Sequence, residues 1–225
     1  MRLYPAFLNL SGKKCLVVGA GEVGMRKIAA LLEYDPEEVL VLDQAPLPDA
    51  MKALLNKGSV VYSERNFVPE DLTGKFLVFA ATNNKDVNAE IARLCVERGI
   101  LCNVADNPDK SGFLVPATLC RGDMTIAIST GASSPAMARK IRLDLEDRFD
   151  SHYGNFLVLM ERVRPLVLGL GWDTKENTAL FRALAGSPMM DVLRDRDPDR
   201  ARMILEDILP EAIHEKIKEL LDGLF

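Results

Sequence analysis

Lys14-Cys15-Leu16-Val17-Val18-Gly19-Ala20-Gly21-Glu22-Val23-Gly24 joins an apolar run to a Gly-x-Gly-x-x-Gly series, and a helical pattern follows at once. Cys15 to Val18 is apolar at every position, as in a strand buried on both faces. Val23, Ile28, Leu31 and Leu32 then recur at mostly helical spacing until Asp35-Pro36 stops them. Strand, glycine loop and helix in this order form the phosphate-binding turn of a dinucleotide fold. Gly19 permits the tight turn, Gly21 lets the backbone approach a pyrophosphate, and Gly24 lets the helix pack closely on the strand. Glu22 and Val23 open the helix, where free N–H groups face the phosphates. A plain strand-to-helix turn is the other reading.

Outward from this loop the chain alternates short apolar runs with amphipathic ones, the signature of βαβ units. Val39 to Asp43 reads as a second strand, Asp49 to Lys57 as a helix, and Val60 to Tyr62 and Phe76 to Ala80 as strands. Asp86 to Arg98 reads as a helix closed by Gly99, and Ile100 to Val104 as a fifth strand. Five strands with helical crossovers predict an α/β fold, a Rossmann-type doubly wound parallel sheet with a crevice beyond the strand carboxyl ends. Asp43 falls about 20 positions after Gly24, where a carboxylate accepts hydrogen bonds from an adenosine ribose. It would repel a 2′-phosphate, and Gln44-Ala45-Pro46 offers no cation, so NAD is expected over NADP; a turn aspartate is the alternative. Thr82 and Asn83 follow the fourth strand, where they either hydrogen-bond the cofactor or cap the next helix. Asp106 follows the fifth strand and projects into the crevice or forms an Asx-turn before Asn107-Pro108.

After Pro108 the texture changes. Phe113 to Leu119 and Met124 to Ser129, around Arg121-Gly122-Asp123, suggest an antiparallel hairpin, and Ser133-Ser134-Pro135 opens a helix to about Phe149. From His152 onward only helical periods appear. Asp173 with Glu176 resembles a capping box, Gly186 closes that helix, and Ser187-Pro188, Asp197-Pro198 and Pro210 open three more. The expected organisation is a Rossmann domain over residues 1–112, a hairpin and helix segment over 113–150 suited to dimerisation, and a helical domain over 151–225.

The chain has 225 residues, 48% hydrophobic and 27% charged, which excludes disordered and fibrous classes. Its 28 Lys and Arg against 33 Asp and Glu give a net charge of -5. No bulk attraction draws it to nucleic acid or an anionic membrane. The start lacks the apolar core of a secretory signal, and no apolar run approaches the length of a membrane span, so a cytoplasmic protein is expected. Cys15, Cys95, Cys102 and Cys120 include no Cys-x-x-Cys pair and read as buried free thiols. His152 reads as an exposed or capping imidazole and His214 as a boundary residue of an amphipathic helix. With two scattered histidines no permanent metal site is expected. Neither Tyr34 nor Tyr62 has the lysine four positions on that a short-chain dehydrogenase would use.

Six ordered motifs are shared with a known family. Tyr4-Pro5-Ala6-Phe7-Leu8-Asn9-Leu10, Gly24-Met25-Arg26-Lys27, Ala80-Ala81-Thr82-Asn83, Cys102-Asn103-Val104-Ala105-Asp106, Phe113-Leu114-Val115-Pro116-Ala117 and Ser129-Thr130-Gly131-Ala132-Ser133-Ser134-Pro135 resemble the precorrin-2 dehydrogenase and sirohydrochlorin ferrochelatase family, the dehydrogenase-chelatase part of sirohaem synthase. The likeness covers most of residues 1–150. It implies NAD-dependent oxidation of precorrin-2 to sirohydrochlorin in tetrapyrrole biosynthesis, a homodimer interlocked through the middle segment, and in some members insertion of ferrous iron. It also implies that Asp106 serves dehydrogenation and, where present, chelation. Relatives often carry alanine at the position of Gly24, a departure expected to leave the packing undisturbed.

Precorrin-2 carries eight carboxylates, so its site should present cations and N–H donors. Arg139, Lys140 and Arg142, with Ser133 and Ser134 at the start of their helix, form one such group, and Arg26 with Lys27 another. Exposed helix cations and capping serines are the other reading. A non-catalytic NAD(H)-sensing module is the alternative function, since a Rossmann domain alone fixes no chemistry.

Overall fold

The computed structural model describes residues 3–55, 58–105 and 107–225. The chain divides into two compact units, Met1–Val115 with Gly131–Ser133, and Pro116–Thr130 with Ser134–Phe225. The first is built on five strands, β1 (Lys14–Val18), β2 (Glu38–Asp43), β3 (Val60–Glu64), β4 (Leu77–Ala80) and β5 (Leu101–Val104). They pair in parallel in the order β3-β2-β1-β4-β5, as the continuous apolar runs predict. Successive side chains leave opposite faces, so each strand feeds two core layers. Val17, Val41 and Phe79 meet Ile28 and Leu31 of helix α1 (Glu22–Leu31) and Met51 of α2 (Asp49–Leu55). Leu16, Leu42 and Val78 meet Ile91, Leu94 and Cys95 of α3 (Lys85–Glu97) on the other face. The strand order reverses between β1 and β4, where Val18 lies level with both Leu42 and Ala80. The carboxyl ends of β1, β2 and β4 therefore share one rim.

The second unit holds an antiparallel hairpin, β6 (Ala117–Arg121) and β7 (Met124–Ile128), and helices α4 (Pro135–Glu146), α5 (Ser151–Leu168), α6 (Thr174–Gly186), α7 (Met189–Asp195), α8 (Pro198–Ile208) and α9 (Ile217–Leu221). Leu159, Val163, Leu184, Val192, Leu193 and Leu205 are among the residues that fill its core. The helix starts follow the predicted punctuation. Ser134, Asp173 and Asp197 each accept a first-turn N–H and Glu176 completes the capping box with Asp173, while Asp150, which sequence reading passed over, caps α5 in the same way. Gly154 in α5 packs tightly on the hairpin, since a Cβ there would lie 3.0 Å from the Arg121 carbonyl.

Four expectations are corrected. The strand predicted from Phe113 begins only at Ala117, because the Phe113 carbonyl is taken by Asn103 Nδ2 at 3.0 Å and Pro116 has no N–H to donate. Cys120 is exposed on β6, whereas Cys15, Cys95 and Cys102 are buried. His214 sits in a 3₁₀ stretch, Glu211–Lys216, that follows Pro210, with Nε2 2.8 Å from the Leu209 carbonyl. The His152 ring is mostly enclosed, not exposed, and its Nδ1 lies 3.1 Å from Asp150 Oδ1.

Candidate functional site

The glycine loop spans the rim between β1 and α1. Gly19 has φ +101, a conformation that L side chains rarely adopt, and its N–H donates to the Leu42 carbonyl at 2.8 Å. A Cβ there would collide with the Ala81 carbonyl beyond β4. Gly24 is closed from the other side, since a Cβ on it would drive into the Gly19 carbonyl. This corrects the expectation that alanine would serve equally well at Gly24: in this loop no methyl fits without a backbone shift. Around Gly21, by contrast, nothing among the described residues lies within 4 Å of the Cβ position. The backbone is thus crowded at both outer glycines and open at the middle one, where a pyrophosphate would approach. Gly21 is the N-cap of α1 and, among the described residues, no side chain caps its first turn, so the Glu22 and Val23 amides are first-turn donors suited to an anion.

Asp43 ends β2 beside this loop. Its Oδ2 accepts the Ala20 N–H at 2.5 Å and its Oδ1 accepts the Ala45 N–H at 2.9 Å. A carboxylate offers about four acceptor positions; two backbone donors leave two for ribose hydroxyls. The carboxylate is therefore oriented by main chain before any ligand arrives.

The segment after β4 is held by a residue that sequence reading passed over. Asn88, buried on α3, accepts the Thr82 N–H at 3.2 Å and the Thr82 hydroxyl at 2.7 Å on Oδ1, and donates from Nδ2 to the Thr82 carbonyl at 2.9 Å. Asn84, not Thr82 or Asn83, caps α3, accepting from Asp86 and Val87 N–H groups at 3.0 and 3.2 Å. Thr82 is thus spent on shaping the loop, and Asn83 is exposed beside it. The sequence signal for Asn88 was an amide on the apolar face of a helix, adjacent to Val87 and three positions before Ile91.

Asn103 of β5 is a second buried amide. By holding the Phe113 carbonyl it seats the Phe113 ring edge-on to Phe79 at 5.6 Å, and Lys27 Nζ lies 5.4 Å above the Phe79 ring. The loop beyond β5 is pinned at both ends. Ala105 N–H donates to Ala80 O at 2.9 Å, Val104 N–H to Ser111 Oγ at 2.9 Å and Gly112 N–H to Cys102 O at 2.7 Å. Asp106, the predicted acid-base residue, lies outside the described residues.

The expected substrate-binding group is only partly available. Arg139 is exposed, but Lys140 pairs with Asp144 at 2.6 Å and Arg142 with Glu146. Those carboxylates stand four positions on, one helical turn away. Ser134 Oγ accepts the Met137 N–H at 3.2 Å and so caps α4, while Ser133 is exposed after Ala132, whose φ is +67. Among the described residues no group of three His, Cys, Asp or Glu is placed to hold a metal ion. Burial pushes the Cys15 thiol up to about 11, so it stays protonated at neutral pH and is no nucleophile. No described helix is long and apolar enough to cross a membrane.

Residues 6–117 match a family described as "Putative NAD(P)-binding". The chain is 34% identical over 209 residues to the siroheme synthase of Thioalkalivibrio sulfidiphilus, covering 93% of this chain and 42% of that protein. With siroheme synthase 1 of Aeromonas salmonicida it shares 37% over 224 residues, 99% of this chain and 47% of the relative. The chain thus spans less than half the length of these relatives. Its fold matches the solved structure of SirC, precorrin-2 dehydrogenase, with a TM-score of 0.76 at 24% identity, covering 92% of this chain and 98% of that one.

Proposed function

We propose that the chain oxidises precorrin-2 to sirohydrochlorin with NAD, a reading supported by the NAD(P)-binding match over residues 6–117 and by the likeness to siroheme synthases. The observation that carries the reading is the open backbone at Gly21 flanked by two glycines with no room for a Cβ, with the Asp43 carboxylate fixed beside it. Bound NAD supplies the hydride acceptor. The chain's own residues do the rest: α1 offers first-turn N–H groups to the pyrophosphate, Asp43 takes the ribose hydroxyls, and Asp106 receives the proton lost as hydride leaves the macrocycle. Arg139, Ser133 and, once released from Asp144, Lys140 meet substrate carboxylates. Should the chain also insert ferrous iron, as some members of the family it resembles do, Asp106 would take the pyrrole N–H protons.

An anaerobic spectrophotometric assay with enzymatically generated precorrin-2 tests both steps. NAD is expected to support sirohydrochlorin formation and NADP to support it poorly, and added ferrous iron is expected to give sirohaem faster than in the absence of protein. No product with either nucleotide, despite measurable NAD binding, would reject the dehydrogenase.

We also propose a homodimer formed through the hairpin and α4. A two-stranded hairpin is at best marginal alone, yet Leu119 and Ala138 are the buried hydrophobic residues of β6, β7 and α4, while Met137 and Leu143 are exposed. A second copy covers these side chains. Sedimentation at micromolar concentration is expected to show a dimer, and a monomer there would refute it. The free state of all four cysteines suits a reducing cytoplasm; recovery from an oxidising compartment on cell fractionation would count against that assignment.

A further inference from the structure

Strand β3 bears on the Asp43 carboxylate in a way the glycine motif does not foretell. β2 and β3 run parallel with Val41 level with Tyr62 and Asp43 level with Glu64. Val41 and Tyr62 belong to the same core layer, so Asp43 and Glu64, two residues further on, point to that same face at the carboxyl rim. The Tyr62 hydroxyl donates to the Ala45 carbonyl at 2.5 Å, and the Ala45 N–H donates to Asp43 Oδ1 at 2.9 Å. The other carboxylate oxygen accepts from Ala20 in the glycine loop. One chain of hydrogen bonds therefore runs from the phenol through the β2 turn and the carboxylate to the phosphate-binding loop. Pro46 restricts Ala45 further from the other side. Burial, then the charges of Asp43 and Glu64, push the Tyr62 phenol up, so it remains a protonated donor at neutral pH.

The nearest cation in sequence is withdrawn. Arg65 follows Glu64 and would be a natural partner for a 2′-phosphate, but its guanidinium is committed to Asp71 by two hydrogen bonds of 2.6 and 2.8 Å. Asp71 holds it firmly, since that carboxylate also accepts the Val68 N–H at 2.9 Å. The surroundings of the ribose position are thus two carboxylates with their adjacent cation turned away.

We propose that β3 sets nucleotide choice: Tyr62 is a positioning residue that holds Asp43 ready for the ribose hydroxyls, and Glu64 adds the second negative charge that turns away a 2′-phosphate. This rests on the nucleotide-binding reading above and deepens it. Calorimetric titration of the 225-residue chain with NAD and with NADP, without macrocycle, tests it. Tyr62→Phe keeps the ring in the core and is expected to weaken NAD binding about 3–10-fold, as for one lost hydrogen bond, with NADP affected less, so the preference narrows. Glu64→Gln, at an exposed position, is expected to tighten NADP about 3–10-fold at low salt with NAD unchanged, and the gain should fade at high salt. A general loosening of the fold would weaken both nucleotides alike in Tyr62→Phe, and that result would overturn the positioning role. Wild-type NADP affinity in Glu64→Gln would overturn the repulsion, and this variant decides alone if Tyr62→Phe does not fold. Should the wild-type chain bind neither nucleotide, the reading beneath the inference fails, a result separate from wild-type NAD binding with both variants unchanged.

Discussion

Asp106→Asn is expected to lower kcat for precorrin-2 oxidation by about 10²–10⁴-fold while the NAD dissociation constant stays within about twofold of wild type. Oxidation removes one hydride and one proton from the macrocycle. With bound NAD as the hydride acceptor, the proton would need a base within hydrogen-bond reach. Asparagine keeps the size and polarity of the side chain but accepts no proton at neutral pH, so it isolates proton transfer from packing. Of the neighbouring residues, Ala105 N–H donates to the Ala80 carbonyl at 2.9 Å and Asn107 N–H to the Val104 carbonyl at 3.2 Å. Direction with pH follows from the same role. A carboxylate base works only when ionised, so wild-type kcat should fall as pH drops through its titration, whereas the residual activity of Asp106→Asn should be flat there. Stopped-flow absorbance of sirohydrochlorin, with calorimetry for NAD, reads both quantities. Equal loss of NAD affinity and kcat would mean that the residue acts through the cofactor loop, and an unaltered kcat would remove it from proton transfer.

What was legible in the sequence was whatever a period or a backbone constraint writes locally. β1 and β4 are apolar at almost every position because they are covered on both faces, and Gly19 and Gly24 stand where main chains meet too closely for a Cβ. The place of Asp43 was legible because the length of α1 and its return to β2 fix where that strand ends beside the glycine loop. The buried amides were harder. Asn88 and Asn103 look like ordinary polar residues until the loops they hold are seen, since their partners are the Thr82 and Phe113 backbones, 6 and 10 positions away. The loss of Lys140 and Arg142 to Asp144 and Glu146 could have been read, because the pairs stand at i,i+4 on one helix. Tyr62 could not. Its partner Ala45 is 17 positions distant, and only the parallel register of β2 and β3 brings the hydroxyl to that carbonyl.

The glycine loop gives the second large effect, and it separates steric demand on the fold from steric demand by the ligand. Gly24→Ala places a methyl against the Gly19 carbonyl, so either α1 moves off the sheet or the loop shifts. Overpacking of this kind typically costs about 1–3 kcal/mol, and chemical denaturation should register it. NAD affinity should fall with it, because the first-turn N–H groups move together with the helix. Gly21→Ala meets open space instead. Stability should change by no more than about 1 kcal/mol, the range for alanine at an N-cap, yet NAD binding should weaken by about 100-fold or more, since the new methyl occupies the approach that the pyrophosphate requires. A folded, stable Gly21→Ala protein without nucleotide affinity would locate the phosphates over that residue. If the same variant bound NAD as wild type does, the pyrophosphate does not cross Gly21, and the open backbone there would be a feature of the turn alone.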